Sequence, residues 1–204
     1  MKEVIIATNN AGKGKDFEAL FKPLGVKVLT LNDIEEVIDV EETGDTFEEN
    51  AILKAETVAK LLGKIVIADD SGLEIDALDG APGVYSARYA GPDSTDDKNI
   101  EKALGALQAV PDDKRTARFR CVLAIAGPGI ETETYSGSCE GVILRERQGT
   151  NGFGYDPIFN LPEKGQSMAE LSPTEKSEIS HRGAALAKLK VKLPQLLHEA
   201  GALK

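Results

Sequence analysis

The stretch TARFRCVLAIAGPGIETETYSGSCEGVILR, residues 116–145, decides the fold. Two β-forming runs, roughly Thr116–Ala126 and Thr132–Arg145, flank Gly127-Pro128-Gly129, so the segment reads as a hairpin. A hairpin brings antiparallel strands into a chain whose remainder alternates single strands with helices. Upstream, the apolar run Val4–Ala7 ends in the polar turn Thr8-Asn9-Asn10-Ala11-Gly12. Phe17, Leu20, Phe21 and Leu24 then recur at helical spacing, Pro23-Leu24-Gly25 stops the helix, and Val26–Leu29 reads as a second strand. Thr46 and Glu49 form a capping box that opens a helix to about Leu62. Gly63 closes it, and Ile65–Ala68 reads as a buried strand ending at Asp69-Asp70-Ser71-Gly72.

Residues 76–94 are rich in loop formers, and Thr95–Leu107 has a helical pattern. After the hairpin, a glycine-rich loop (Gly149–Pro157) leads into Ile158-Phe159. Ser172-Pro173-Thr174-Glu175 is a second capping signature with proline at the first helical position. The last helix is expected from about His181 to Leu197. The class is therefore α/β with a mixed sheet and flanking helices.

Composition narrows the function. The 204 residues carry 24 Lys and Arg against 34 Asp and Glu, a formal charge of −10. Nucleic-acid affinity rests on phosphate neutralisation, so nucleic acid is a poor partner for this chain. No apolar run approaches the roughly 20 residues that span a bilayer, and the N-terminus lacks a signal-peptide pattern. With no export signal, Cys121 and Cys139 read as free thiols of a cytoplasmic protein. With two histidines (His181 and His198) and no HExxH, a metal would rest on carboxylates, hence a hard ion such as Mg²⁺ or Mn²⁺.

Four segments carry candidate chemistry. Thr8-Asn9-Asn10-Ala11-Gly12-Lys13 stands at a strand-to-helix junction, where free N–H groups and the lysine suit phosphate. It is not a Walker A loop, because Ala7 and Gly14 occupy its glycine and hydroxyl positions. Residues 31–50 hold nine acids (Asp33, Glu35, Glu36, Asp39, Glu41, Glu42, Asp45, Glu48, Glu49) without a Lys or Arg, a pattern that mostly means a solvated face. Asp69-Asp70 differs, since two adjacent carboxylates at a strand end repel unless a cation or protons compensate. Gly152-Phe153-Gly154-Tyr155-Asp156 offers rings to a flat ligand, and Lys176 with Ser180-His181-Arg182-Gly183 offers donors to carbonyl or phosphate oxygens.

Together these segments resemble the inosine/xanthosine triphosphatase family of purine nucleoside-triphosphate pyrophosphatases, almost end to end. The resemblance adds Glu41-Glu42-Thr43-Gly44, Phe47…Glu49-Asn50-Ala51…Lys54-Ala55 and Gly80-Ala81-Pro82-Gly83-Val84-Tyr85-Ser86-Ala87-Arg88-Tyr89 to those already quoted. Two departures stand out: Asp16 where the family has Glu, and Asn151 where Gly is common.

The resemblance implies one elongated domain over residues 1–204 with two lobes around a central cleft, a homodimer, and Mg²⁺-dependent hydrolysis of ITP, dITP and XTP to monophosphate and pyrophosphate. It places Glu41 and Asp70 on the metal and Asp70 as general base; by its chemistry the adjacent Asp69 could accept the proton instead. The loop Thr8–Lys13 (Asn9, Asn10, Ala11 and Gly12 included) and Lys54 fall to the phosphates, and Ser71 to the substrate. Phe153, Gly154, Tyr155, Asp156, Lys176, His181 and Arg182 fall to the base. Alternatives are a pyrophosphatase for other modified nucleotides and a non-catalytic nucleotide sensor.

Overall fold

A computed structural model describes residues 2–35 and 38–199, except the side chains of Lys2, Ala11, Gly12, Asp16, Ala19, Leu20, Leu24, Leu197 and Glu199. The expectations resting on Glu36 and on the side chains of Ala11, Gly12, Asp16, Leu20 and Leu24 lie outside the described residues. The chain divides into two compact units. The first is Met1–Asp70, Val122–Ser136 and Ala185–Lys204; the second is Ser71–Cys121 and Gly137–Ala184.

In the first unit, β1 (Lys2–Ala7) runs parallel to β2 (Val26–Thr30), with Val4 opposite Val28. It also runs parallel to β3 (Val66–Ile75), with Ile6 opposite Ile67. The connection from β1 to β2 is α1 (Ala11–Phe21), whose Phe17 and Phe21 are fully buried. Burial of each such ring is worth about 1.5–3 kcal/mol. Helix α2 (Phe47–Leu62) starts where the capping box predicts: Thr46 Oγ1 accepts the Glu49 N–H at 3.1 Å, and Glu49 Oε2 accepts the Thr46 N–H at 3.1 Å. It ends at Gly63 in the left-handed region, φ +62°, which a residue with a Cβ disfavours. Its inward stripe is Phe47, Asn50, Ala51, Ala55, Val58 and Ala59.

The hairpin strands are β4 (Thr116–Gly127) and β5 (Ile130–Ile143), joined by Pro128-Gly129 alone. β4 reaches Gly127 and β5 starts at Ile130, closer to the turn than expected, and β5 ends at Ile143 rather than Arg145. A Cβ at Gly127 would stand 3.0 Å from Ile65 Cα.

In the second unit, β6 (Phe159–Leu161) pairs antiparallel with β5, and β7 (Gln166–Ser167) pairs antiparallel with β6. Helices α3 (Asp96–Ala106) and α4 (Pro173–Ile179) belong here, each capped by the side chain before it, Thr95 and Ser172. The core includes Leu73, Ile75, Ile100, Leu107, Phe119, Ile158, Phe159 and Met168. Helix α5 (His181–Glu199) follows α4. The strand order is β2-β1-β3-β4-β5-β6-β7, a mixed sheet as expected.

One expectation needs correction. The apolar run that ends at Ala68 does not end its strand, because β3 continues through Asp69-Asp70-Ser71-Gly72 to Ile75. Leu73 and Ile75, both fully buried, supply a second apolar run that keeps the backbone in the sheet.

Candidate active site

The first turn of α1 is organised by its own polar side chains. Thr8 Oγ1 accepts the Asn10 N–H at 3.1 Å, and Asn10 Oδ1 accepts the Lys13 N–H at 3.1 Å. Asn10 thus caps the helix, and Asn9 is held through its carbonyl by Asn32 Nδ2 at 3.2 Å. The Ala11 and Gly12 backbones form the first helical residues. Lys13 pairs with Asp69, whose side chain is fully buried.

Lys54, on the inward side of α2, is a second centre of charge. Its Nζ donates to Glu42 Oε1 at 2.8 Å, to the Asp69 carbonyl at 2.9 Å and to Asp70 Oδ1 at 3.2 Å. Burial works against its ammonium, but Asp70, Glu42 and Asp69 outweigh burial and hold its pKa above the usual lysine value. Asp70 moves the other way for a carboxylate. Burial, joined by repulsion from Glu42, raises its pKa despite Lys54 and Lys13. Its Oδ2 is buried with no hydrogen-bond partner among the described residues.

One turn before Lys54, the fully buried Asn50 accepts the Gly44 N–H at 2.7 Å through Oδ1. Its Nδ2 is a buried donor with no partner. Leaving such a group unsatisfied costs about 1–3 kcal/mol, so both orphan atoms mark a place prepared for something further.

Three carboxylates here (Glu42, Asp69, Asp70) face two ammonium groups (Lys13, Lys54). An acceptor with no partner amid surplus negative charge fits a cation. Among the described residues no three His, Cys, Asp or Glu side chains converge on one metal position. Of the adjacent acids, Glu41 is exposed, while the half-buried Glu42 is the one on Lys54.

In the second unit, Gly152–Asp156 folds around one carboxylate. Asp156, 2% exposed, accepts the Phe153 N–H at 3.0 Å and pairs with Lys176. Gly152 makes room for it, since a Cβ there would stand 2.0 Å from Asp156 Oδ2. The Phe153 ring is partly exposed, with Lys176 Nζ 4.7 Å and the Arg182 guanidinium 5.9 Å from its centroid. Arg182 Nη2 also donates to Ser71 Oγ at 3.1 Å. His181, 6% exposed, stacks on Phe119 at 4.9 Å between centroids. Tyr155 is buried, and its hydroxyl donates to the Ser86 carbonyl at 2.8 Å. Gly154 N–H donates to Asp96 Oδ2 at 2.7 Å. Asn151 adds a bond that glycine lacks, from Nδ2 to the Leu171 carbonyl at 3.0 Å.

The structure therefore gathers the sequence-derived residues into two groups. Thr8, Asn10, Lys13, Lys54, Asp69 and Asp70 belong to one; Ser71, Phe153, Tyr155, Asp156, Lys176, His181 and Arg182 belong to the other. Sequence reasoning missed Glu42 as a partner of Lys54, and it missed Asn50, Ser86 and Asp96. Asn50 carried a signal: an amide on the inward stripe of a helix, one turn before a lysine.

The chain matches the model of the Ham1 family over residues 4–192. It is 58% identical over 195 residues to the dITP/XTP pyrophosphatase of Bacillus licheniformis, covering 96% of this chain and 100% of that one. It is 57% identical over 189 residues to the dITP/XTP pyrophosphatase of Bacillus subtilis, covering 93% of this chain and 96% of that one. Among solved structures, the Staphylococcus aureus Ham1 protein superposes with a TM-score of 0.87 at 49% identity, covering 95% of this chain and 99% of that one. A HAM1 protein from Coxiella burnetii also reaches 0.87, at 46% identity over 96% of this chain and 100% of that one.

Proposed function

We propose, from the premise that this chain belongs to the Ham1 family, that it is a hydrolase of non-standard purine nucleoside triphosphates. It cleaves the α–β phosphoanhydride of ITP, dITP and XTP, leaves monophosphate and pyrophosphate, and so clears the nucleotide pool. One observation carries this reading for the site: the buried, unpartnered Asp70 Oδ2, held next to Lys54 and followed in the chain by Ser71.

Water must attack the α-phosphorus while pyrophosphate leaves, and most of the catalysis is positioning and charge stabilisation. A divalent ion (Mg²⁺, with Mn²⁺ as substitute) would be held by Asp70 together with Glu42 or Glu41, and would shield the charge of the triphosphate. Asp70, whose carboxyl binds a proton more readily than an ordinary one, accepts a proton from the attacking water, with Asp69 beside it. Lys54 fixes the orientation of Asp70. Thr8, Asn10 and the first turn of α1 bind phosphate oxygens, and Lys13 turns from Asp69 toward them.

For the base of the substrate, Phe153 offers its ring. Lys176, His181 and Arg182 donate to the 6-oxo group of inosine or xanthine. Adenine carries an amino donor at that position and leaves those groups unpaired, a mismatch that rejects a wrong substrate by up to about 10⁴–10⁵.

The working form is a cytoplasmic homodimer, where Cys121 and Cys139, which form no disulfide, stay reduced. No described helix is long and apolar enough to cross a membrane.

The test is a nucleotide panel with Mg²⁺, assaying pyrophosphate and orthophosphate separately. Pyrophosphate from ITP, dITP and XTP, with little from ATP, is expected. Orthophosphate as first product moves cleavage to the γ position and rejects the mechanism. Equal rates with ATP reject the base assignments.

A further inference from the structure

Two neighbouring N–H groups in the Gly152–Asp156 turn are each held by a carboxylate. The Phe153 N–H is held from within the turn by Asp156, at 3.0 Å. The Gly154 N–H is held from outside by Asp96, at 2.7 Å. Hydrogen bonds to ionised acceptors are about twice as strong as neutral ones.

Asp96 is the first residue of α3, where an acid usually serves its own helix. Here the preceding Thr95 caps that end, accepting the Lys98 N–H at 3.2 Å. The Asp96 carboxylate reaches out to a distant loop instead. The helix that carries it is firmly seated. Ile100 and Ala103 are buried, and Asn99, 3% exposed, accepts the Ala90 N–H at 2.7 Å and donates to the Ala87 carbonyl at 3.1 Å.

The flanks of the turn are tied separately. The Thr150 and Asn151 N–H groups donate to the Ala169 carbonyl at 3.1 and 2.9 Å, and the Tyr155 hydroxyl is on Ser86. At the tip, Gly154 lies at φ +60°, and Phe153 keeps 38% of its surface open. Asp156 is shared with Lys176, so the Asp96 bond is the tie that fixes the tip to a rigid helix.

Resting on the reading of this turn as the purine-binding element, we propose that Asp96 is a positioning residue for base selection. By holding the Gly154 N–H it sets where the Phe153 ring stands relative to Lys176 and Arg182, and hence how well an oxo-purine is preferred.

The experiment compares the full chain with Asp96→Ala and Asp96→Asn. It reads KM and kcat for ITP and ATP, inhibition by pyrophosphate (which has no base) and thermal stability. Asp96→Ala should raise KM for ITP about tenfold and narrow the ITP-to-ATP preference by a similar factor, the size of one hydrogen bond to a charged group. The kcat and the inhibition by pyrophosphate should stay at parental values. Asp96→Asn should restore KM and preference in large part, because its amide oxygen still accepts from Gly154, as a neutral and weaker bond.

Unchanged KM and preference in Asp96→Ala overturn the proposal. So does a parallel weakening of pyrophosphate inhibition, or a fall in melting temperature and kcat with KM unmoved. A parent chain that releases no pyrophosphate from ITP instead overturns the underlying nucleotide reading, and this inference with it.

Discussion

Lys54 holds Asp70 by one oxygen alone: Nζ stands 3.2 Å from Oδ1, while Oδ2 stays buried without a partner. Asp70→Asn preserves the lysine contact and abolishes the proton acceptor, so turnover of ITP should fall by about 10²–10⁴. Burial already disfavours this carboxylate, so its loss should leave the melting temperature at or above that of the parent. Pyrophosphate release and a thermal melt on the same preparation check both halves. Near-parental turnover removes Asp70 from the mechanism.

Lys54→Met should destabilise the fold by about 3–5 kcal/mol at neutral pH, the usual result of stripping a buried charge cluster of its counter-ion. The deficit should depend on pH. The Asp70 pKa is raised in the fold, and removing Lys54 raises it further, so folding favours the protonated acid. The stability this contributes is full below the unfolded carboxylate pKa and is lost as pH rises through the folded value. The gap in melting temperature between variant and parent should therefore widen as pH rises from the unfolded carboxylate range through the folded Asp70 pKa. A gap independent of pH contradicts the coupling.

Gly152→Ala meets two obstacles: φ is +80°, and its Cβ would stand 2.0 Å from Asp156 Oδ2. Backbone strain of this kind costs about 1–3 kcal/mol. Displacing Asp156 also frees Lys176 and the Phe153 N–H together. KM for ITP should rise by about tenfold or more, equivalent to that strain, with a modest fall in melting temperature. Steady-state kinetics with ITP, and pyrophosphate inhibition as the control, separate this from global damage.

Burial, reinforced by Glu140, pushes the Cys139 thiol up to about 11. At pH 8 about one molecule in a thousand then carries the reactive thiolate. Iodoacetamide should label Cys139 in the native protein far more slowly than a free cysteine, and at full rate after unfolding in urea. Peptide mass spectrometry over a time course measures this. Rapid native labelling contradicts the burial of this side chain.

Much of the architecture was readable because local signals agreed. The Thr46–Glu49 capping box set the start of α2, Gly63 its end, and Pro128-Gly129 the hairpin. The reading failed at β3, where Asp69-Asp70-Ser71-Gly72 carries the polar signature of a loop. A strand can carry polar residues mid-length when long-range pairing and buried partners such as Lys13 and Lys54 sustain them, and no window on one segment sees those partners. The residues of the candidate site were legible as types and as motifs. Which acid meets Lys54 was not, because Glu41 and Glu42 are adjacent and a single residue of register separates the exposed one from the bonded one. Asp96 and Gly154 are 58 residues apart, and local patterning does not mark such a pair.

The engagement of Lys13 and Lys54 by acids has a consequence for traffic through the site. Neither ammonium is idle, and the cluster as a whole is electronegative. Orthophosphate or a nucleoside monophosphate arriving bare would meet that surplus negative charge. A nucleoside triphosphate carrying a divalent cation has about half the charge of the bare anion and would be repelled less.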